Sequence, residues 1–412
     1  MFVLNGLRQA NWLTRERAIT IGTVLLIEQI LLLVFVALWQ HGVFTALSKT
    51  TSSDFVSFYA AGKLALAGTP ALAYDQAAHH LAQQATTGPD TPYQFFFYPP
   101  VFLMLCAGLA ELPYPAAFAL FELVTIVLFV MAMRRVLQET GSAWIIPLLA
   151  FPPVFWTIGL GQNAFLTAAL FAGFTLFMDR RPTLSGILLG LLCYKPHFGL
   201  LAPVALVAGQ RWRVVITATA TVLGLVLLSV ALFGWNTWSA YLYAFAHSNA
   251  TYGTGLIDYA GIVTPFGAAR LMGFAVGPAY VSQALVAALM ALLIALIWRR
   301  VRSLPLRAAS LLAATLLAVP LVLLYDELLV LVAVGWLVRE ARQTGFLPWE
   351  KITLASTYAL TLVLWHIGNG LHVPLGPVIS LAMLLLCIRR IWWGHADRMV
   401  ETRRSAEPIA AR

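Results

Sequence analysis

Charge is scarce in this chain. Only 10% of its 412 residues are Asp, Glu, Lys or Arg, and 17 of them are acidic. That is too little to hydrate the surface of an ordinary soluble domain, so soluble enzymes and soluble binding modules are excluded. Cysteine is scarcer still: Cys106, Cys193 and Cys387 lie scattered in apolar segments without metal-ligand spacing. They read as small core hydrophobes rather than redox groups. Histidine-rich metal spacing, a nucleophile elbow and a P-loop are all missing. Gly159-x-Gly161-x-x-Ala164 lacks the strand–helix context of a dinucleotide fingerprint. No internal repeat, appended soluble domain or alternating barrel pattern is visible.

What is present is apolar. Sixty per cent of the residues are hydrophobic, the mean hydropathy is +0.83, and runs long enough to cross a hydrocarbon core recur from end to end. The expected fold is an all-α polytopic membrane protein, a single integral membrane domain over residues 1–412. The first apolar segment, 18–39, is too long for a signal-peptide core and lacks a small-residue cleavage site, so it is expected to remain as an anchor. About thirteen segments qualify by length and hydropathy, whereas two termini on one side require an even number of crossings. The excess falls between 95 and 162, where Pro99, Pro100, Pro113, Pro115, Pro147, Pro152 and Pro153 break helices. One segment there is expected to be re-entrant or a half-helix, leaving about twelve spans. Irregular backbone at that depth survives only inside protein or against a wet cavity, which makes the region a candidate wall of a site.

The net charge of +9 reflects 26 basic residues placed at segment ends, which points to membrane orientation and not to nucleic acid. Setting Arg8, Arg15 and Arg17 on the cytoplasmic side brings Arg180/Arg181, Arg211/Arg213, Arg299/Arg300/Arg302/Arg307, Arg339/Arg342/Lys351, Arg389/Arg390 and the 394–412 tail there too. Lys49, Lys63, Lys195 and Arg270 then lie outside, and Arg134 and Arg135 stay unassigned. Both termini are expected to be cytoplasmic.

Two outer loops are long, about 41–94 and 233–260. The first carries Asp54, followed by an amphipathic stretch (Phe55, Phe58, Tyr59, Leu64, Leu66) expected to lie along the interface. The second is aromatic, with Trp235, Trp238, Tyr241, Tyr243 and Phe245 before His247 and Asp258. These aromatics read as headgroup anchors or as stacking surfaces for a sugar or prenyl chain.

Polar groups in membrane segments are costly and therefore candidates for function. With this orientation the unusual ones share the outer side: Gly161-Gln162-Asn163, Tyr194-Lys195-Pro196-His197, Tyr325-Asp326-Glu327, and a turn with His366, Asn369 and His372. Asp54 reads as a catalytic base, a solvated loop carboxylate or an N-cap for a helix over 55–68. Lys195, one of four lysines, suits a lipid phosphate by charge-assisted hydrogen bonding or snorkels at a helix end. His197 assists it or caps a helix. Gln162 and Asn163 bind substrate oxygens or satisfy backbone freed by the prolines. Tyr98, before Pro99-Pro100, shapes the backbone or lines the site. Asp326 binds substrate or pairs with an arginine such as Arg270.

Taken in order, Ser53-Asp54-Phe55, Tyr59-Ala60-Ala61-Gly62, Tyr98-Pro99-Pro100, Gly161-Gln162-Asn163, Asp179-Arg180-Arg181-Pro182, Gly186-Ile187-Leu188-Leu189-Gly190 and Tyr194-Lys195-Pro196-His197 resemble glycosyltransferase family 87 of the GT-C superfamily. The resemblance covers roughly residues 50–240, with Tyr325-Asp326 the main match beyond. The histidine that relatives often carry near that Tyr-Asp is absent, Leu323 and Leu324 standing there.

The resemblance implies a GT-C-like bundle and a membrane glycosyltransferase. Its donor would be a polyprenyl-phosphate-linked hexose, typically mannose, and its acceptor a lipid or glycan. The site would face the periplasm of a bacterial inner membrane, with Asp54 as base, Lys195 and His197 on the donor phosphate, and Gln162, Asn163, Tyr98, Tyr325 and Asp326 near substrate. No cofactor is indicated, and no cluster of outer carboxylates asks for a metal. The competing readings are a transporter or lipid flippase, which would distribute its polar residues through the midplane, and an inactive scaffold of an envelope polysaccharide complex.

Overall fold

Proline decides where many of the helices begin. The computed structural model describes residues 2–45, 53–253 and 258–406. In it Pro100–Ala110, Pro152–Leu160, Pro182–Leu191 and Pro265–Leu271 all open on a proline at the first helical position, where a missing N–H costs nothing. Lys49, the end of the tail beyond 406 and the side chains of Arg398, Arg403 and Arg404 lie outside the described residues.

Five helices are long and apolar enough to cross a membrane: Arg15–Phe35, Tyr114–Leu137, Trp212–Phe233, Val276–Arg300 and Gly376–Trp393. Shorter apolar helices accompany them: Pro100–Ala110, Ala164–Phe177, Pro182–Tyr194, Pro196–Ala208 and Leu304–Ala318. The protein is therefore an all-α, multi-pass membrane protein. Among the described residues no strand forms; a single bridge joins Ile262 to Leu323.

Burial divides the helices into centre and rim. From Leu306 to Ala318 every residue of the Leu304–Ala318 helix is buried, as is every residue from Leu328 to Leu337. Helices apolar all round belong in the middle of such a bundle, and Ala164–Phe177 packs beside them, with Trp336 Nε1 donating to Thr175 Oγ1 at 3.2 Å. Arg15–Phe35 and Trp212–Phe233 expose apolar rows instead, including Leu31, Phe35, Ile216 and Leu227. In lipid those rows carry no penalty.

The proline-rich region breaks as its composition predicts. Residues 143–160 form two short helices, Ile145–Leu149 and Pro152–Leu160, instead of one span. The second ends at Gly161, whose φ of 68° is the left-handed cap that glycine adopts without strain.

The aromatic residues of the amphipathic stretch after Asp54 face protein. Phe55, Phe58 and Tyr59 are buried in the helix Ser53–Leu66, against Tyr114, Phe102 and Phe121. A Cβ on Gly62 would stand 2.1 Å from the Cys106 carbonyl oxygen, so the glycine lets Ser53–Leu66 pack directly on Pro100–Ala110. The aromatic face of the stretch is filled by protein, while Leu66 stays exposed.

Two placements differ from the sequence reading. His366 and Asn369 belong to the helix Glu350–Leu371, and only His372 caps it. Arg270 does not meet Asp326; it donates to the Tyr259 hydroxyl at 2.9 Å and the Phe274 carbonyl at 2.6 Å. The basic clusters, by contrast, gather as their distribution implies. Arg15 and Arg342 share Glu139 at 3.0 and 2.6 Å, and Arg211 and Arg307 share Asp179 at 2.5 and 3.5 Å. Arg134 donates to the Glu139 carbonyl at 3.2 Å, which assigns it to the Arg15 end.

Candidate active site

Asp54 lies in the first turn of Ser53–Leu66 and is half-buried. The helix starts two residues before the expected 55, so Asp54 joins the turn instead of capping it, and the helix dipole still favours its negative charge. Behind it, a polar seam fixes the extended segment 88–99. Gln83 donates to the Gln94 carbonyl at 2.7 Å and accepts from the Gln94 amide at 2.9 Å. His79 Nε2 donates to the Ser57 carbonyl at 3.0 Å while Nδ1 faces the Gln83 amide at 3.2 Å, which fixes a neutral ring. Burial pushes the His79 pKa down from 6.5 to about 4. The Tyr74 hydroxyl donates to the Tyr98 carbonyl at 3.0 Å, setting Tyr98 at the mouth of Pro100–Ala110.

The broken segment delivers the partner. After Gly161 turns the chain, the Gln162 amide hydrogen binds the Thr157 carbonyl at 2.9 Å. The side chain is thereby aimed away from its own helix, and Gln162 Nε2 donates to Asp54 Oδ2 at 2.7 Å. Gln162 Oε1 accepts a long bond from the Tyr98 hydroxyl at 3.4 Å. Asn163 is fully buried beside Tyr98, and neither atom of its amide completes a hydrogen bond of good geometry.

Lys195 arrives from the turn between Leu192–Tyr194 and Pro196–Gly199. Its Nζ meets Asp326 Oδ1 at 2.7 Å, with both side chains 4% exposed. The rings of Tyr325 and Phe198 lie 5.4 and 5.6 Å from the ammonium. Tyr194 bonds Thr167 at 2.7 Å and stacks on Phe102 at 5.1 Å and on Tyr98 at 6.5 Å. His197 is half-buried with its ring on Phe198, 4.6 Å between centroids. Tyr98 lies within electrostatic reach of both Asp54 and Asp326, so it joins the two halves of the cluster.

One region therefore brings together Asp54, Gln162, Asn163, Tyr98, Lys195, Tyr325 and Asp326, with His197 beside the lysine. Asp326 turns out to be the partner of Lys195. One acid, Glu122, is absent from the sequence reading, and Glu327 appears there only beside Asp326. Glu327 and Glu122 are buried, and neither carboxylate finds a hydrogen bond. For Glu122 the signal was legible: a lone acid in an apolar segment.

The sequence model of glycosyltransferase family 87 matches residues 96–324, more than half of the chain. The chain belongs to glycosyltransferase family 87. Membership makes it a membrane glycosyltransferase, and the embedded apolar helices suit lipid-linked substrates. No curated protein and no solved structure gives a significant match. The family 87 match encloses Tyr98, Gln162, Asn163, Lys195 and His197 but begins after Asp54 and stops two residues short of Asp326. These two carboxylates thus join the family-matched segment through side-chain contacts, Asp54 through Gln162 and Asp326 through Lys195.

Proposed function

We propose that this protein transfers a hexose, most simply mannose, from a polyprenyl phosphate to the hydroxyl of a lipid or glycan acceptor. The reading rests on one observation above the others: the 2.7 Å bond from Gln162 to Asp54 ties a helix-start carboxylate to the end of a proline-broken membrane segment. In an inverting displacement the acceptor oxygen attacks the anomeric carbon, and Asp54 takes its proton. The bond from that carbon to the phosphate oxygen breaks on the opposite face, and its electron pair leaves with the lipid phosphate. Base assistance of this kind contributes about 10²–10⁴ in rate.

Charge growing on the leaving phosphate calls for preorganised donors. Lys195 is our choice, with His197 and Gln162 in support and Asn163, Tyr98, Tyr325 and Asp326 shaping the pocket. The pairing with Asp326 keeps the ammonium desolvated and in place until a phosphate shares it. A metal-independent reaction is the simplest reading of this donor set. We place the site on the periplasmic side of a bacterial inner membrane, both termini cytoplasmic, in a GT-C-like bundle of about twelve spans. Nucleotide sugars stay in the cytoplasm, so an outward-facing site needs a lipid-carried donor.

The test is sugar transfer from synthetic polyprenyl-phosphate-mannose by purified protein in nanodiscs, wild type against Asp54→Asn, with thermal unfolding in parallel. Release of polyprenyl phosphate with a mannosylated acceptor, lost in a normally folded Asp54→Asn protein, is expected. Turnover unchanged by the substitution would remove Asp54 from the chemistry.

A further inference from the structure

At the other end of the bundle lies a second site. The Tyr114–Leu137 helix reaches the Asp54 region through Tyr114, whose ring lies 5.6 Å from Phe55, and ends at Met133 and Leu137, which line a cavity of about 480 Å³. At 1.5 Å per residue the two sites are separated by about 30 Å, roughly a hydrocarbon thickness.

Two of the helices that line the cavity present regular stripes to it. Leu331, Val334, Gly335, Val338 and Arg342 recur at helical spacing on Leu328–Thr344, and Lys351, Leu354, Ala355 and Tyr358 do so on Glu350–Leu371. Arg15 to Leu25 on the first long helix close the third side, a run of about 15 Å and so about one leaflet deep. The walls are apolar, but every cation sits at one end. Arg15 begins its helix, Lys351 lies one residue into its own, and Arg342 is in the last turn of the third.

The charges at this mouth do not balance. Among the lining residues Glu139 is the one carboxylate, and it is shared by Arg15 and Arg342. The side chains of those arginines stay 58% and 43% exposed. Among the described residues Lys351 has no ion-pair partner, and it rests against the Phe346 ring at 5.3 Å. Three cations against one buried carboxylate leave an excess positive charge where an apolar slot one leaflet deep opens.

We propose that this cavity holds one anionic glycerophospholipid of the cytoplasmic leaflet, an acyl chain in the slot and its phosphate against Arg15 and Lys351. Basic pockets between membrane helices favour such headgroups, by about five-fold in affinity for each cation near the surface. The lipid fills the gap between the first long helix and the core, which otherwise meet closely at Gly22, where an added Cβ would stand 3.0 Å from Pro147. The inference is independent of the sugar-transfer reading.

The experiment uses the full chain in detergent, titrated with palmitoyl-oleoyl phosphatidylglycerol or phosphatidylcholine, with bound lipid counted by native mass spectrometry. One tightly retained phosphatidylglycerol per chain is expected, bound at least ten-fold better than phosphatidylcholine. The double variant Arg15→Gln/Lys351→Gln leaves Glu139 paired with Arg342 and should fold; it should weaken retention by about 25-fold. Ala355→Trp, which fills the slot, should abolish it. Equal retention of the two lipids, or retention unchanged in the charge variant, would overturn the proposal. So would displacement of phosphatidylglycerol by an equal concentration of polyprenyl phosphate.

Discussion

Lys195 and Asp326, 131 residues apart in the chain, meet at 2.7 Å in a place that water scarcely reaches. Such a pair is worth little against a hydrophobic replacement, yet losing one partner leaves a bare buried charge at a cost of about 3–5 kcal/mol. Lys195→Met and Asp326→Leu are each expected to lower the unfolding temperature sharply. The double variant should recover most of the loss. If Lys195 also carries the leaving phosphate, the recovered double variant will fold and still fail to release polyprenyl phosphate. Unfolding temperatures and donor turnover, measured on the three proteins together, separate the structural role from the chemical one. A double variant that loses the sum of the two single losses would show that the two charges are not coupled.

Gln162 holds Asp54 without being the base itself. Its loss should therefore act on orientation: Gln162→Ala is expected to lower kcat by about ten- to a hundred-fold, in line with the cost of a small misplacement. Gln162 also meets the Tyr98 hydroxyl, so the comparison is with Tyr98→Phe, which removes that 3.4 Å contact while keeping Gln162 and Asp54 together. Gln162→Ala should leave the KM for donor nearly unchanged. A rise in KM at constant kcat would instead make Gln162 a donor-binding group.

His79 gives the segment that follows Asp54 a built-in acid sensitivity. Its neutral ring is held between the Ser57 carbonyl and the Gln83 amide, and its pKa falls from 6.5 to about 4 on folding. The unfolded chain therefore binds the proton first. The stabilisation is complete above pH 6.5, shrinks as pH falls from 6.5 toward 4, and is gone below 4, a swing on the order of 3 kcal/mol. Thermal unfolding followed across that range should show the slope. His79→Gln, less stable at neutral pH, should flatten it; an unchanged slope would assign the acid sensitivity to other groups.

Much of this was legible in the sequence. The lack of charge excluded a soluble fold, the prolines marked where a span would break, and the paucity of lysine singled out Lys195. Glu122 was equally visible as the lone acid of an apolar segment but drew no attention among the motifs. For the helix after Asp54, the amphipathic pattern shows that one face is apolar without telling whether lipid or protein covers it. Gly62 against the Cys106 carbonyl, a contact between distant residues, is what decides for protein.

The sequence by itself determined that this chain is a helical membrane protein, which of its end clusters are basic, and which polar residues had to have a purpose, because hydrophobicity and charge act residue by residue. Only the tertiary structure decided who meets whom. Asp326 takes Lys195 and not Arg270, Asp54 takes Gln162 across the proline break, and three cations share a mouth with one carboxylate. Partner choice depends on how helices pack and turn against one another over more than a hundred residues, and no local pattern in the chain encodes that geometry.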